Sequence, residues 1–217
     1  MSLIALTILA LPFSQSSTAD IVRAEQTRLN ECIALSEEDA ETAYEDSLRW
    51  LGEGARPAAR YCNAMAILGM GNYREAAARL EELANAPDAG GLDDRAIYLA
   101  QAGNAWLLGG YSDAAIVTLT NALKIASSDP DILTDRGAAY LGTERYEEAI
   151  DDLDKALDIV PNAVETLQMR ARAHLAQDNL DAAEADMNRA LLLDRTNIDT
   201  LVLRGDVREA KRLAEGS

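Results

Sequence analysis

Histidine occurs once in this 217-residue chain, cysteine twice, phenylalanine once and proline five times. Two cysteines and one histidine, scattered along the chain, supply too few soft ligands for a zinc site. No Cys-x-x-Cys is present for thiol redox chemistry. The lone histidine, His174, has no nucleophile or orienting acid placed by any motif, so nothing supports a triad. Gly69-x-Gly71 and Gly109-Gly110 follow helical patterns rather than strands, which argues against a phosphate-binding loop. No calcium-loop pattern occurs. Asp151, Asp152 and Asp154 crowd together, but nothing else suggests paired-carboxylate chemistry. Positive charge is scarce as well: 20 Lys and Arg stand against 37 Asp and Glu, a formal net charge of −17. A field of that sign repels nucleic-acid phosphates and anionic membranes. These absences predict no catalytic residue, no metal, no cofactor and no nucleic-acid partner.

What the chain does have is a period. From Pro130 to Ala163, Gly137, Tyr140, Tyr146, Ala149, Leu153, Ala156 and Pro161 stand at fixed offsets. Ala171, His174, Leu180, Ala183, Met187 and Ala190 repeat the first six places 34 residues later. Small residues at fixed positions mark where two helices approach closely, and the larger ones fill the gaps beside them. The spacing predicts one helix over Asp131–Gly142 and a second over Tyr146–Ile159, with Pro161 unable to continue it. One such hairpin cannot bury its apolar face alone, but stacked neighbours can. The expected fold is all-α: a right-handed superhelical solenoid of antiparallel helix pairs, about ten or eleven helices in all. Units fall at 57–90, 92–128, 130–163 and 164–197, after a degenerate unit at 20–56. Residues 198–217 form a terminal cap, with Gly205-Asp206 a point of interruption. In the degenerate unit Ser36, followed by Glu37-Glu38-Asp39, is placed to cap the second helix. Trp50, Trp106, Tyr73, Tyr111, Tyr140, Tyr146 and His174 read as packing residues. Acidic runs such as Glu147-Glu148 and Asp151-Asp152 read as solvated outer faces.

Residues 2 to 13 are uncharged and largely apolar, and small residues at Ser17 and Ala19 follow. This reads as a secretory signal cleaved near Ala19, although no Lys or Arg precedes the apolar run. The run is short for a transmembrane span, so the mature chain is expected to have no integral span. Export to the periplasm would place Cys32 and Cys62, on the first helices of successive units, where oxidation could join them. A closed loop of about 30 residues would contribute roughly 3–4 kcal/mol in the chain-entropy model. Two separate buried thiols, and a cytoplasmic chain in which residues 2–13 form an ordinary helix, remain the alternatives. The terminal Arg204, Arg208, Lys211 and Arg212 read first as part of a polar cap and second as a site for an anionic partner.

The period of 34 with these small residues resembles the tetratricopeptide repeat, over about residues 57–197 and more loosely from 21. The layout of exported head, degenerate first unit and acidic solenoid is similar to periplasmic repeat proteins of Gram-negative bacteria. The resemblance implies a concave groove lined by the first helix of each unit, and a protein or peptide partner. Carried over, that geometry places Tyr61, Met65 and Leu68, then Ile97, Asn104, Leu107 and Leu108, then Thr134 and Leu141, then Gln168 and Arg172 along the groove. Its centre is expected to be apolar with few fixed charges. Relatives that clamp chaperone C-termini use paired Lys and Asn; here Asn104 stands alone. The implied function is a non-enzymatic scaffold or adaptor gripping an apolar helix or extended segment. The alternatives are a self-associating subunit of a larger envelope complex and a cytoplasmic adaptor.

Overall fold

The computed structural model describes residues 17–216. The apolar segment at residues 2–13, read as a signal, lies outside the described residues. Eleven helices are described: α1 (Thr18–Glu38), α2 (Ala40–Gly52), α3 (Pro57–Gly69), α4 (Tyr73–Asn85), α5 (Leu92–Leu108), α6 (Ser112–Leu123), α7 (Pro130–Leu141), α8 (Tyr146–Ile159), α9 (Val164–Ala176), α10 (Leu180–Leu193) and α11 (Ile198–Glu215). Each helix packs on its neighbours in the chain. In addition α1 meets α3, α5 meets α7, α7 meets α9 and α9 meets α11. First helices therefore form one row and second helices the other, giving an all-α solenoid of antiparallel pairs. None of the described helices is long and apolar enough to cross a membrane.

The small residues of the repeat sit where the packing demands them. A Cβ on Gly137 would stand 2.8 Å from Leu153 Cγ, and one on Gly103 would overlap the Leu119 side chain. Ala115, Ala149, Ala171 and Ala183 are fully buried. Small side chains here let the paired helices close, and Leu119, Leu153 and Met187 fill the space beside them at interior density. The start signals act locally. Pro57 and Pro130 occupy the first turns of α3 and α7, where a missing N–H costs nothing. Asp129 Oδ1 accepts from the N–H groups of Asp131 and Ile132.

Buried polar clasps tie α7 to α8 and α9 to α10. Arg136 of α7 donates from Nε to Asp152 Oδ2 at 2.6 Å and from Nη2 to Asp152 Oδ1 at 2.9 Å. Arg170 of α9 makes the same fork to Asp186, both bonds at 2.7 Å, and a further bond to Asp154. Asp152 is only 2% exposed, so it belongs to the interior rather than to the solvated face expected of the Asp151-Asp152 run. A carboxylate can be buried there because a bidentate guanidinium satisfies it.

Two further expectations are corrected at the ends. Ser36 does not cap α2: it lies inside α1, 4% exposed, and donates to the Ile33 carbonyl. Asp39 caps α2 instead, accepting from Thr42 N at 3.1 Å. Gly205-Asp206 does not interrupt the last element, because α11 runs unbroken for 18 residues. Open space surrounds the Gly205 Cβ direction, so the glycine serves no close approach. Within the terminal basic run, Lys211 reaches back to Asp181 and Glu184 on α10, and Arg212 pairs with Glu209. Cys32 and Cys62 are joined as a disulfide, with Cα atoms 5.8 Å apart, which fastens α1 to α3 beside buried Trp50.

Candidate interaction groove

The first-helix row carries a cavity of about 750 Å³ between α5, α7 and α9. Apolar surface comes from Ile97 and Ala100 on α5 and from Ile132 on α7. Five carboxylates share the same lining: Asp93, Asp129, Asp131, Asp135 and Glu165. No Lys or Arg lines it. A smaller cavity of about 440 Å³ adjoins it along the row, between α9 and the start of α11; it shares Val164 and Glu165 with the first, and Gln168 and Arg172 line it.

Asp135 is the electrostatic centre of the larger cavity. Burial, then the charges of Glu165 and Asp131, push its carboxyl up from 3.8 to about 7, with Asp129 adding to the effect. A hydrogen bond from the Asn104 side chain acts in the opposite direction without overcoming them. Desolvation disfavours the ionised form, and neighbouring carboxylates disfavour it further. Asn104 thus stands beside an acid in the groove.

The structure brings together only part of the sequence-derived set. Ile97, half exposed, Asn104 and Thr134 line the large cavity. Thr134 is mostly buried; its hydroxyl donates to the Pro130 carbonyl and lies 3.0 Å from that of Thr166, which makes it a stitch between α7 and α9. Gln168 also works as a stitch, donating to Asn197 Oδ1 at 2.7 Å and to Thr200 Oγ1 at 2.5 Å. Arg172 lines the cavity beside it. Tyr61 is buried against Tyr98, ring centroids 5.0 Å apart, and burial pushes its hydroxyl up to about 12. Met65 packs on that same cluster, and Leu68 on the one around Ile67 and Ala105. Leu107 packs against the cluster of Ala115 and Leu119, and Leu141 against Ala149 and Leu153. Leu108 is exposed outside both cavities.

The groove centre is therefore more acidic than the expected apolar stripe. Asp135 is the residue that sequence reasoning passed over. A signal existed: Asp131 and Glu165 occupy equivalent places 34 residues apart, and Asp135 stands one helical turn beyond Asp131. Three carboxylates on two adjoining first helices must face one another if those helices line one groove.

Comparison with known proteins agrees with this architecture. Tetratricopeptide-repeat family profiles match residues 130–163 and 164–197. No curated protein matches the chain. Among solved structures, MamA from Desulfovibrio magneticus RS-1 is similar at 20% identity and a TM-score of 0.65, covering 84% of this chain and 99% of that one. The tetratricopeptide protein TTC0263 of Thermus thermophilus is similar at 23% identity and a TM-score of 0.61, covering 86% and 98%. The second such domain of human RPAP3, solved with an HSP70 peptide, is similar at 24% identity and a TM-score of 0.52 over 54% of this chain and 98% of that one. The chain has the tetratricopeptide-repeat fold.

Proposed function

We propose that the chain is a non-enzymatic scaffold that holds a segment of another protein along its first-helix row. The observation that carries this reading is the cavity of about 750 Å³ spanning α5, α7 and α9, a size and position suited to a peptide rather than to a reaction centre. Among the described residues no group of three or more His, Cys, Asp or Glu side chains could hold a metal ion. The Cys32–Cys62 disulfide supports an oxidising compartment, the periplasm in the layout that the sequence resembles. A second reading, a cytoplasmic adaptor, is favoured by the likeness to the RPAP3 domain bound to the HSP70 peptide SGPTIEEVD. Groove chemistry opposes the same ligand here, since an acidic peptide would meet Asp131, Asp135 and Glu165. The redox state of Cys32 and Cys62 in cell-derived protein separates the two compartments.

Photocrosslinking in cells tests the groove. A photoreactive residue replaces Ile97, 50% exposed in the cavity, or Val117, 63% exposed on α6 and outside it. Adducts to another protein from position 97 and not from 117 are expected. Equal adducts from both positions, or none from 97, would remove the groove from the account.

A further inference from the structure

We propose that the cavity between α5, α7 and α9 receives a lysine or arginine side chain, so that the scaffold's partner presents a basic segment flanked by apolar residues. The inference rests on the groove reading above and adds the chemistry of the occupant. Its basis is the distribution of charge over the two rows. Arg136 and Arg170 stand on α7 and α9, the same helices as the groove acids, yet both are bonded to Asp152 and Asp186 of the second-helix row. Lys211 is likewise engaged by α10. Asp93, Asp129, Asp131, Asp135 and Glu165 take part in no ion pair among the described residues; no Lys or Arg lines their cavity, and Arg172, which lines the adjoining cavity with Glu165, forms no ion pair with it.

A groove wall with unmatched negative charge is complementary to a cationic occupant, and low-dielectric walls strengthen the attraction. The lining suits a long cationic side chain in particular. The methylene stem can lie along Ile97 and Ala100 while the charged head reaches Asp135 and Glu165. A bare divalent ion fits less well, because no group of described side chains is arranged to hold one. A second copy of the chain would bring another strongly acidic surface into the groove, since each carries a formal net charge of −17.

The test pans a library of random short peptides, displayed on phage, against the full chain and against the Asp135→Asn/Glu165→Gln variant. Titration of synthetic copies of the selected peptides follows. The expected result is enrichment of Lys or Arg next to apolar residues on the native chain. Replacing the basic residue by norleucine, or using the variant, should weaken binding at least about tenfold, and added salt should weaken the native complex. Neither variant position is fixed by an ion pair, and circular dichroism checks that the variant keeps its helices. Apolar or acidic peptides that bind the groove as tightly would overturn the cation inference and leave the groove reading standing. Enrichment of nothing on either protein would overturn both. Self-association that protects Ile97 from modification would assign the groove to a second copy and overturn the inference too.

Discussion

Replacing Asp135 by asparagine should make the protein more stable at neutral and alkaline pH. Asp135 is held partly out of water, faces Glu165 on α9 and Asp131 and Asp129 at the start of its own helix, and accepts a hydrogen bond from Asn104 on α5. Its folded pKa of about 7 lies above the ordinary value of 3.8. The folded state therefore binds the proton more tightly than the unfolded chain. That contribution to stability is complete below the unfolded value and is lost as pH rises through about 7. The interval corresponds to an upper bound of about 4 kcal/mol at 1.36 kcal/mol per tenfold. Water and mobile neighbours at the mouth of an open groove reduce it to about 1–2 kcal/mol. Asparagine keeps the shape and removes the charge. Urea unfolding at pH 8 should show the variant more stable by about that amount, or melting about 2–8 °C higher. The difference should shrink as pH falls, and vanish near pH 4. A variant equal to or weaker than the native chain at pH 8 would show that Asp135 is neither desolvated nor repelled by its neighbours. The same substitution should lose the basic peptide, so stability and binding would move in opposite directions, as expected where a charge is kept for function.

Three other perturbations probe the scaffold. Cys32→Ser/Cys62→Ser removes a cross-link with a sequence separation of 30 and should cost about 2–4 kcal/mol, seen in urea titration and as faster hydrogen exchange in α1 and α2; unchanged exchange there would contradict it. Arg136→Met leaves buried Asp152 with only Lys155 Nζ at 3.3 Å and should cost about 2–4 kcal/mol, whereas Arg136→Met/Asp152→Leu should recover most of the loss; a double variant as weak as the single one would refute the clasp. Gly69→Ala sets its methyl group against the Ser36 carbonyl oxygen of the backbone and should cost about 2–3 kcal/mol, whereas Gly205→Ala meets open space inside α11 and should gain up to about 1 kcal/mol of helix propensity; reversal of that order in thermal melts would contradict the packing argument.

The solenoid was legible because its signal is local and repeated. Gly137 and Ala149 recur as Ala171 and Ala183 for a reason each pair of helices meets anew, so the period alone places α7 to α10. The charge pattern was less legible because it depends on which side of a helix faces which row. Asp152 and Asp154 are two residues apart, yet one is buried under Arg136 and the other exposed beside Arg170. Local reading took the run they share as a wet face. Leu107 and Leu141 show a further limit: apolar places on first helices read as groove positions, and the structure has both partly buried against clusters that draw on first and second helices alike, a division of surface that spacing does not reveal. Helix α11 escaped for a third reason, since Gly205 lowers helix propensity by about 1 kcal/mol, less than the burial of Leu203 and Val207 returns.

The claim that the acidic inner face holds a cation is tested most directly by following the Asp135 carboxyl by carbon-13 NMR through a pH titration, with and without a saturating lysine-bearing peptide from the selection. In the free chain it should titrate near 7. With the ammonium seated beside it, its pKa should fall back toward the ordinary carboxylate range, and the peptide should correspondingly bind more weakly as pH is lowered. A carboxyl that titrates at the same pH with the peptide bound would place the cation elsewhere and contradict the account.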